Sequence, residues 1–337
     1  MRYTPLSRFQ GTVLGAAMGN ILGVNCGDRP GSATPKFWSE VTHWGFQPIL
    51  NQPPPHGATW GKVAVEQMRH LIQGQLLQDQ PLKAERAVPD LSFQSEPVAL
   101  QNQELSEGLA IATLPLALFY HEDLNLLKQQ IHLTVAQGHP PEAELGAIVV
   151  NYAIALALQN RLQPNRLIPQ LLAELQLRQD HPVLAEQLTQ VHQELAGQAA
   201  VALTDALSVP FCLKEVSPIA LAFYAFLSTS ENFRLSLLRA AQLSSPSAYA
   251  STLTLTGALS GAYNGKAVLP PDWRKALRSV PENRSPLSLL WDVKSEAELL
   301  HYAQALLAVW SGMYDSTQYL QHSNRLTVVG TPRAIRD

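Results

Sequence analysis

The chain has 337 residues, of which 46% are hydrophobic and only 15% are charged, and its formal net charge is −3 at pH 7. This length allows a single helical domain with a large core and does not require two domains. The negative charge and the absence of any run of like charges argue against a nucleic-acid-binding protein, which needs a basic face for phosphate contacts.

Helical periodicity dominates the chain from its beginning to its end. Apolar residues recur at three- and four-residue spacing, and no segment shows the sustained alternation of a half-buried strand. We therefore predict an all-α protein. The predicted helices span residues 7–23, 61–74, 102–120, 123–137, 142–159, 167–177, 182–195, 217–227, 231–242, 247–265 and 295–312.

Several helix starts carry their own signals. Either Thr229 or Ser230 is expected to cap the helix that opens with Glu231, because a hydroxyl oxygen can accept from a free N–H of the first turn. Pro140 and Pro141 fit the first turn of the helix predicted at residues 142–159, since their missing N–H groups would be unpaired there in any case.

Two long loops and a tail complete the predicted organisation. Residues 28–56 are rich in Pro and Gly, and residues 81–101 form the second loop. Residues 322–337 are polar and aperiodic, and we expect them to be mobile. The sequence therefore predicts one helical domain over residues 1–321 followed by this tail.

The N-terminal apolar stretch needs a test against a secretion signal. Residues 12–24 follow basic residues, but Asn20 interrupts them and the stretch falls far short of the roughly 20 apolar residues of a membrane span. We expect no membrane segment elsewhere in the chain. Cys26 and Cys212 lie far apart without CxxC spacing, which indicates reduced, partly buried thiols in a cytoplasmic protein.

Glycines recur at four-residue spacing in two predicted helices. Glycine costs about 1 kcal/mol relative to alanine inside a helix, so such a stripe indicates the close approach of another backbone. That approach could frame a ligand site between helices, although tight helix packing alone is the better interpretation. The two stripes are Gly11, Gly15, Gly19 and Gly23, and Gly257, Gly261 and Gly265.

The residues at these stripes form recognisable motifs. Residues 8–23 read RFQGTVLGAAMGNILG and residues 257–273 read GALSGAYNGKAVLPPDW. They resemble the motifs G-x-x-x-G-x-x-x-G-D-A-L-G and G-A-L-x-G-A-x-x-G…I-P-x-x-W of the ADP-ribosylglycohydrolase family. Three stretches between them are similar to further family motifs in the same order, namely residues 108–115, 138–140 and 215–227. The likeness covers roughly residues 7 to 312 and implies a single-domain helical bundle of the ADP-ribosylglycohydrolase type.

The resemblance also implies an activity and a metal site. Members of the family hydrolyse the bond that joins ADP-ribose to a modified side chain or other acceptor. Two Mg²⁺ or Mn²⁺ ions lie in a cleft, held by carboxylates from the first helix, from an Asp-Asp-Thr motif near the second long helix and from a G-G-D-T-D-T motif before the late glycine stripe. Hard divalent ions require such oxygen ligands, and the metal pair orients the substrate and a water.

This chain departs from the family at the first two metal-binding places. Asn20 stands where the first Asp belongs, and an amide offers one neutral oxygen without charge. Residues 57–62 read GATWGK where Asp-Asp-Thr would fall, so this stretch has no carboxylate and Lys62 adds the opposite charge.

The third place departs as well. Ala248 and Ala250 stand at the two late aspartates, and Ser251 replaces the final Thr. A small alignment shift cannot restore a ligand, because residues 243–265 contain no Asp or Glu. Ala112 also replaces an arginine of the family's G-A-A-M-R stretch. We therefore expect no bound metal pair, no other cofactor, no catalytic residue of the family type and no metal-dependent hydrolysis.

Ligand-binding candidates remain at and near the altered positions. The rings of Trp60 and Tyr249 could fill the emptied cleft or stack on a nucleotide base, and ordinary packing of both rings is an equally good interpretation. His139 keeps a family-like position at a helix start, where a structural histidine is commoner than a catalytic one. The candidate set is Asn20, Trp60, His139, Tyr249 and Ser251.

A metal-free glycosidase site built from paired carboxylates is a second possibility. Glu66, Glu104, Glu107 and Glu215 are its candidates. Glu107 and Glu215 are expected at solvent-exposed helix starts, where glutamate is common without any catalytic role.

The sequence thus supports three hypotheses about function. The first is a non-catalytic, cytoplasmic member of the family that binds a nucleotide or ADP-ribose, or acts as a regulatory or interaction protein. The second is a hydrolase that uses a metal-free route, and the third is a purely structural protein, since the scaffold is also similar to certain lens crystallins. The expected partner is a nucleotide-like small molecule or a protein, with no role for nucleic acid or membrane. A filled cleft between the glycine helices would favour the interaction role over ligand binding.

Overall fold

The computed structural model describes residues 3–27, 59–76, 102–135, 141–177, 182–198, 216–280 and 285–312. Within these ranges all regular structure is helical, which confirms the predicted all-α class. Two short 3-10 turns, Pro246–Ala248 and Lys266–Val268, flank one of the helices. The helices are α1 Pro5–Gly27, α2 Trp60–Leu76, α3 Asn102–Ala112, α4 Leu114–Phe119, α5 Leu124–Val135, α6 Pro141–Leu158, α7 Leu167–Glu174, α8 Pro182–Gln198, α9 Pro218–Ser228, α10 Phe233–Leu243, α11 Tyr249–Asn264, α12 Pro271–Ser279, α13 Pro286–Trp291 and α14 Glu296–Trp310.

Helices α1 and α11 form the centre of the bundle and run antiparallel to each other. Every residue of α1 from Arg8 to Cys26 is buried, so this helix has no solvent-facing side. The apolar stretch at residues 12–24 that resembled a secretion signal is therefore part of the core. Cys26 is fully buried at the end of the same helix.

The other helices surround this pair. Helices α13 and α14 pack on one side of α1, and α2 packs against both of them and against α3. Helix α3 packs on α6, which returns to α11, while α9 and α10 cover the remaining side of α11. The end of α13 thus lies against α1 at Asn20, where the sequence departs from the family motif, and the start of α2 lies against the end of α13.

Helix α6 has 18 residues and is apolar enough, by length and composition alone, to cross a membrane. Its length and composition thus differ from the expectation that no segment beyond residues 12–24 could cross a membrane. In the structure 78% of this window is buried inside the protein, as expected for a core helix.

Three features of the fold differ from the sequence prediction. The helix predicted over residues 102–120 is interrupted at Thr113, because Pro115 lacks the N–H that would continue the helix and its ring crowds the preceding turn. Helices α12 and α13 were not predicted, since nine and six residues are too few to show a period clearly. Both begin with a proline in the first helical turn.

The cap of α10 also differs from the prediction. Asn232, rather than Thr229 or Ser230, precedes the first helical turn, and its side-chain oxygen accepts from the N–H of Leu235 at 3.0 Å. Thr229 instead donates its hydroxyl to the carbonyl of Ala225 at the end of α9.

Replacing Asn232 with alanine should therefore lower the free energy of unfolding by about 1 kcal/mol, because one N–H of the first turn loses its acceptor. Urea denaturation followed by circular dichroism measures the change. Ser230→Ala is the matched control and should stay within about 0.5 kcal/mol of the parent. An equal loss in the two variants would contradict the capping role of Asn232.

Some predictions fall on other parts of the chain. The loops at residues 28–56 and 81–101, the tail at residues 322–337 and Cys212 lie outside the described residues. The boundary at residue 321 stays a prediction.

Candidate functional site

The two glycine stripes face each other across the central helix pair. Gly15 lies against Gly257, Gly11 against Gly261, and Gly19 against the backbone of Leu253. A Cβ atom on any of these glycines would come closer than 3.0 Å to a backbone atom of the opposite helix. The close backbone approach expected from the stripes is present, and no ligand fits between these two faces.

Asn20 follows Gly19 on α1 and is 3% exposed. Its side-chain oxygen accepts a hydrogen bond from the indole N–H of Trp291, with 3.1 Å between Nε1 and Oδ1. Trp291 is 1% exposed. The oxygen at the position of the family's first metal ligand therefore has a protein donor.

The same indole covers the start of α2. A Cβ atom on Gly61 would lie 2.5 Å from two carbon atoms of the Trp291 ring, so only glycine allows the ring to pack so closely against the helix. Gly61 belongs to the stretch where the family carries Asp-Asp-Thr. Trp291 thus occupies the space between two of the three places from which the family binds metal.

Trp291 is held in this position by the residue that follows it. Asp292 ends α13 in the left-handed conformation, with φ 51° and ψ 41°. Arg69 on α2 donates to the Asp292 carbonyl at 3.0 Å and to its carboxylate at 2.9 Å. Its Nε atom donates to the hydroxyl of Tyr302 at 3.1 Å.

The charge of Arg69 is stabilised by these bonds. Burial lowers the pKa of the guanidinium, but the hydrogen bonds to Tyr302 and Asp292 outweigh that effect and raise the pKa above its ordinary value. Arg69 therefore remains charged. It links α2 to Asp292 at the end of α13 and to Tyr302 on α14.

Trp60 packs in a different place from Trp291. Its ring lies against Gly108 on α3, where a Cβ atom would overlap it, and the residue is 8% exposed. Glu107, the neighbour of Gly108, is also buried. This corrects the expectation that Glu107 lies at a solvent-exposed helix start, because α3 begins five residues earlier and packs this turn against its neighbours.

The residues at the third place where the family resemblance predicts metal ligands lie against α1. Tyr249 is 6% exposed, and both its carbonyl and the Cα of Ala250 face Gly23. Ser251 donates its hydroxyl to the carbonyl of Ala248 at 3.2 Å, a bond within its own helical turn. These residues serve the contact between α11 and α1 and present no carboxylate to it.

The remaining sequence candidates are scattered. Glu66 is largely exposed and pairs with Arg69 at 3.3 Å and with His70 at 3.1 Å. His139 and Glu215 lie outside the described residues, as does the side chain of Glu104. Of the four glutamates, the structure describes the side chains of Glu66, which is largely exposed, and Glu107, which is buried, and a carboxylate pair that includes Glu104 or Glu215 stays a prediction.

A divalent metal pair does not fit the described residues at these three places. No group of three or more His, Cys, Asp or Glu side chains that could hold a metal occurs in the part of the chain that the structure describes. The one side-chain oxygen at the first position is bonded to an indole N–H, and that indole fills the neighbouring space. An uncharged, occupied position cannot offset the desolvation of a divalent ion.

Open cavities in the described part lie elsewhere on the surface. A groove of about 550 Å³ runs between residues 163–166 and 230–231, beside Tyr263. A second cavity of about 660 Å³ lies along α8 between Pro182 and Gln193. Neither is lined by Asn20, Trp60, Tyr249 or Trp291.

Comparisons with known proteins agree with this fold. A family model described as ADP-ribosylglycohydrolase matches residues 1–312. No curated protein sequence matches the chain. Among solved structures, the chain is similar to an ADP-ribosylglycohydrolase-related protein complex, with a TM-score of 0.53 and 20% identity over 91% of this chain and 99% of that chain. At this identity the structural likeness shows the fold alone.

Proposed function

Because the chain belongs to the ADP-ribosylglycohydrolase family, we propose that it is a member without metal-dependent hydrolase activity that acts as a cytoplasmic interaction or regulatory protein. The observation that carries this proposal is the hydrogen bond from Trp291 to Asn20. This bond supports the loss of metal binding better than the missing aspartates alone, because the Asn20 oxygen accepts the indole N–H of a buried tryptophan.

The chemistry of the bond explains why metal and tryptophan exclude each other. A metal ion needs an oxygen lone pair that points into open space, whereas the Asn20 oxygen receives an N–H from a ring that is itself buried. A buried indole N–H without an acceptor costs about 1–3 kcal/mol, so Asn20 and Trp291 stabilise each other. Metal entry would have to break this bond and gain no carboxylate at the described positions.

Burial of the aromatic rings supports an interaction role over nucleotide binding. Trp60, Tyr249 and Trp291 are all at least nine-tenths buried by protein atoms. Stacking on a nucleotide base requires an open ring face. Binding of ADP-ribose therefore remains a second candidate, motivated by the family membership rather than by an open aromatic surface.

Titration calorimetry with ADP-ribose, in the presence and absence of Mg²⁺, tests the proposal. We expect no binding heat for Mg²⁺ alone and none for ADP-ribose that depends on Mg²⁺, because no described carboxylate lies at the altered positions. An active hydrolase of the same family serves as the positive control. Magnesium-dependent affinity, or release of ADP-ribose from an ADP-ribosylated protein, would contradict the proposal.

The same titration separates the two non-catalytic roles. Binding of ADP-ribose that is equal with and without Mg²⁺ would replace the interaction role with a ligand-binding role. Absence of both signals is the expected result.

A further inference from the structure

Basic side chains gather on one surface of the protein, although the whole chain carries a net charge of −3 and few charged residues. They come from α10, from the 3-10 turn Lys266–Val268 and from α12. We define the basic patch as Arg234, Lys266, Arg274, Lys275 and Arg278.

Two arginines of the patch are fixed by one buried carboxylate. The side chain of Glu296, at the start of α14, is 3% exposed and receives the Nε atom of Arg274 at 2.6 Å and lies 3.0 Å from the Nε atom of Arg278. The side chains of Arg274 and Arg278 remain 24% and 59% exposed. Arg278 also donates its Nε–H to the carbonyl of Arg274 at 3.2 Å, so these contacts order both guanidinium groups before any partner arrives while their outer edges face solvent.

In the part of the chain that the structure describes, the rest of the patch has one ion pair. Asp272 pairs with Arg234 at 3.4 Å, and Lys275 is exposed with no ion pair among the described residues. Burial and, after it, the charge of Arg274 lower the pKa of Lys266, and Glu296 only partly opposes them. Within the described ranges, the five basic side chains form ion pairs with two carboxylates, Asp272 and Glu296, so an external anionic group would relieve the remaining repulsion.

We propose that the basic patch binds an acidic segment of a partner protein. Lys275 and Arg278 lie three residues apart on one face of α12, so they present their charges along an exposed helical ridge. A ridge suits an extended chain of Asp and Glu side chains, whereas a small free anion would need an enclosing pocket. The inference deepens the interaction role proposed above, and it rests on that role by naming the chemistry of the partner.

Fluorescence anisotropy with a labelled octaglutamate peptide tests the patch directly on the full chain. The variant Lys275→Gln/Arg278→Gln removes two exposed charges and keeps the bond between Arg274 and Glu296. We expect its affinity to be about three- to tenfold weaker at about 20 mM salt, since exposed ion pairs contribute modestly and are screened at high salt. The matched control Lys62→Gln/Lys128→Gln removes two charges from α2 and α5, which carry no residue of the patch, and should bind as the parent does.

Several outcomes would overturn the proposal. These are absence of octaglutamate binding, equal loss in the patch and control variants, or tighter binding of an oligothymidylate of similar charge, which would assign the patch to nucleic acid. If the double variant does not fold, as judged by circular dichroism, Lys275→Gln alone should weaken binding about twofold. The assay contains neither metal nor ADP-ribose, so failure of octaglutamate binding leaves the proposed loss of hydrolase activity standing. Detection of hydrolase activity would likewise leave the octaglutamate result interpretable.

Discussion

Replacing Gly257 with alanine should destabilise the protein by about 3 kcal/mol or more, or prevent folding, because the new methyl group has no space. It would meet the carbonyl oxygen of Gly15 on the opposite helix at less than 3.0 Å. The neighbour is backbone in the middle of a buried helix, so it cannot rotate away as a side chain would. The whole α1–α11 contact would have to separate, and every glycine pair along it would loosen.

Two control substitutions distinguish this clash from a general effect of alanine. Gly74 on α2 and Gly197 on α8 have nothing within 4 Å of a new Cβ atom. Alanine at either site should leave stability unchanged or raise the free energy of unfolding by up to about 1 kcal/mol, because alanine favours helix. Urea denaturation of the three variants gives the comparison. A Gly257→Ala protein as stable as its parent would show that the two helices are not in backbone contact.

Much of the helical frame could be predicted because its signals are local. Apolar spacing marks the long helices, and four-residue glycine spacing indicates a backbone approach before its partner is known. Pro115 could have indicated the break at Thr113 for the same reason, since the cost of proline inside a helix is a local effect. The short helices α12 and α13 lack enough turns to show a period.

Of the two residues that form the bond at the candidate site, only Asn20 could be predicted from the sequence. The family motif specifies a carboxylate at residue 20, so the departure at Asn20 is visible in the sequence. Its partner Trp291 lies 271 residues further along the chain, in a short helix that no motif covers. Trp60 and Tyr249 were considered because they stand beside the motif positions, yet the Trp60 ring packs against Gly108 and Tyr249 contacts Gly23 through its backbone. Proximity in sequence thus pointed to the wrong rings for the space beside Asn20.

The pairing of Trp291 with Asn20 predicts the second large effect. Trp291→Ala should lower the free energy of unfolding by about 3–5 kcal/mol, since it removes a fully buried ring and leaves a cavity beside Gly61. Trp291→Phe keeps most of the apolar volume and loses the N–H donor, so it should cost less, about 1–3 kcal/mol, mainly because the Asn20 oxygen is left without its donor. Trp310→Phe is the matched control, as Trp310 is only partly buried, and should cost less still.

A double-mutant cycle isolates the hydrogen bond itself. If Asn20 and Trp291 stabilise each other, then Asn20→Ala and Trp291→Phe should lose less together than the sum of their separate losses, with a coupling of about 1 kcal/mol. Additive losses would show that the two residues pack independently. They would also remove the main support for the proposal that the bond between Trp291 and Asn20 has replaced metal binding. Neither Trp291 variant should gain Mg²⁺ affinity in calorimetry, because opening the space adds no carboxylate to the described positions. Metal binding by Trp291→Ala would instead mean that the indole alone blocks a site whose ligands the chain still possesses.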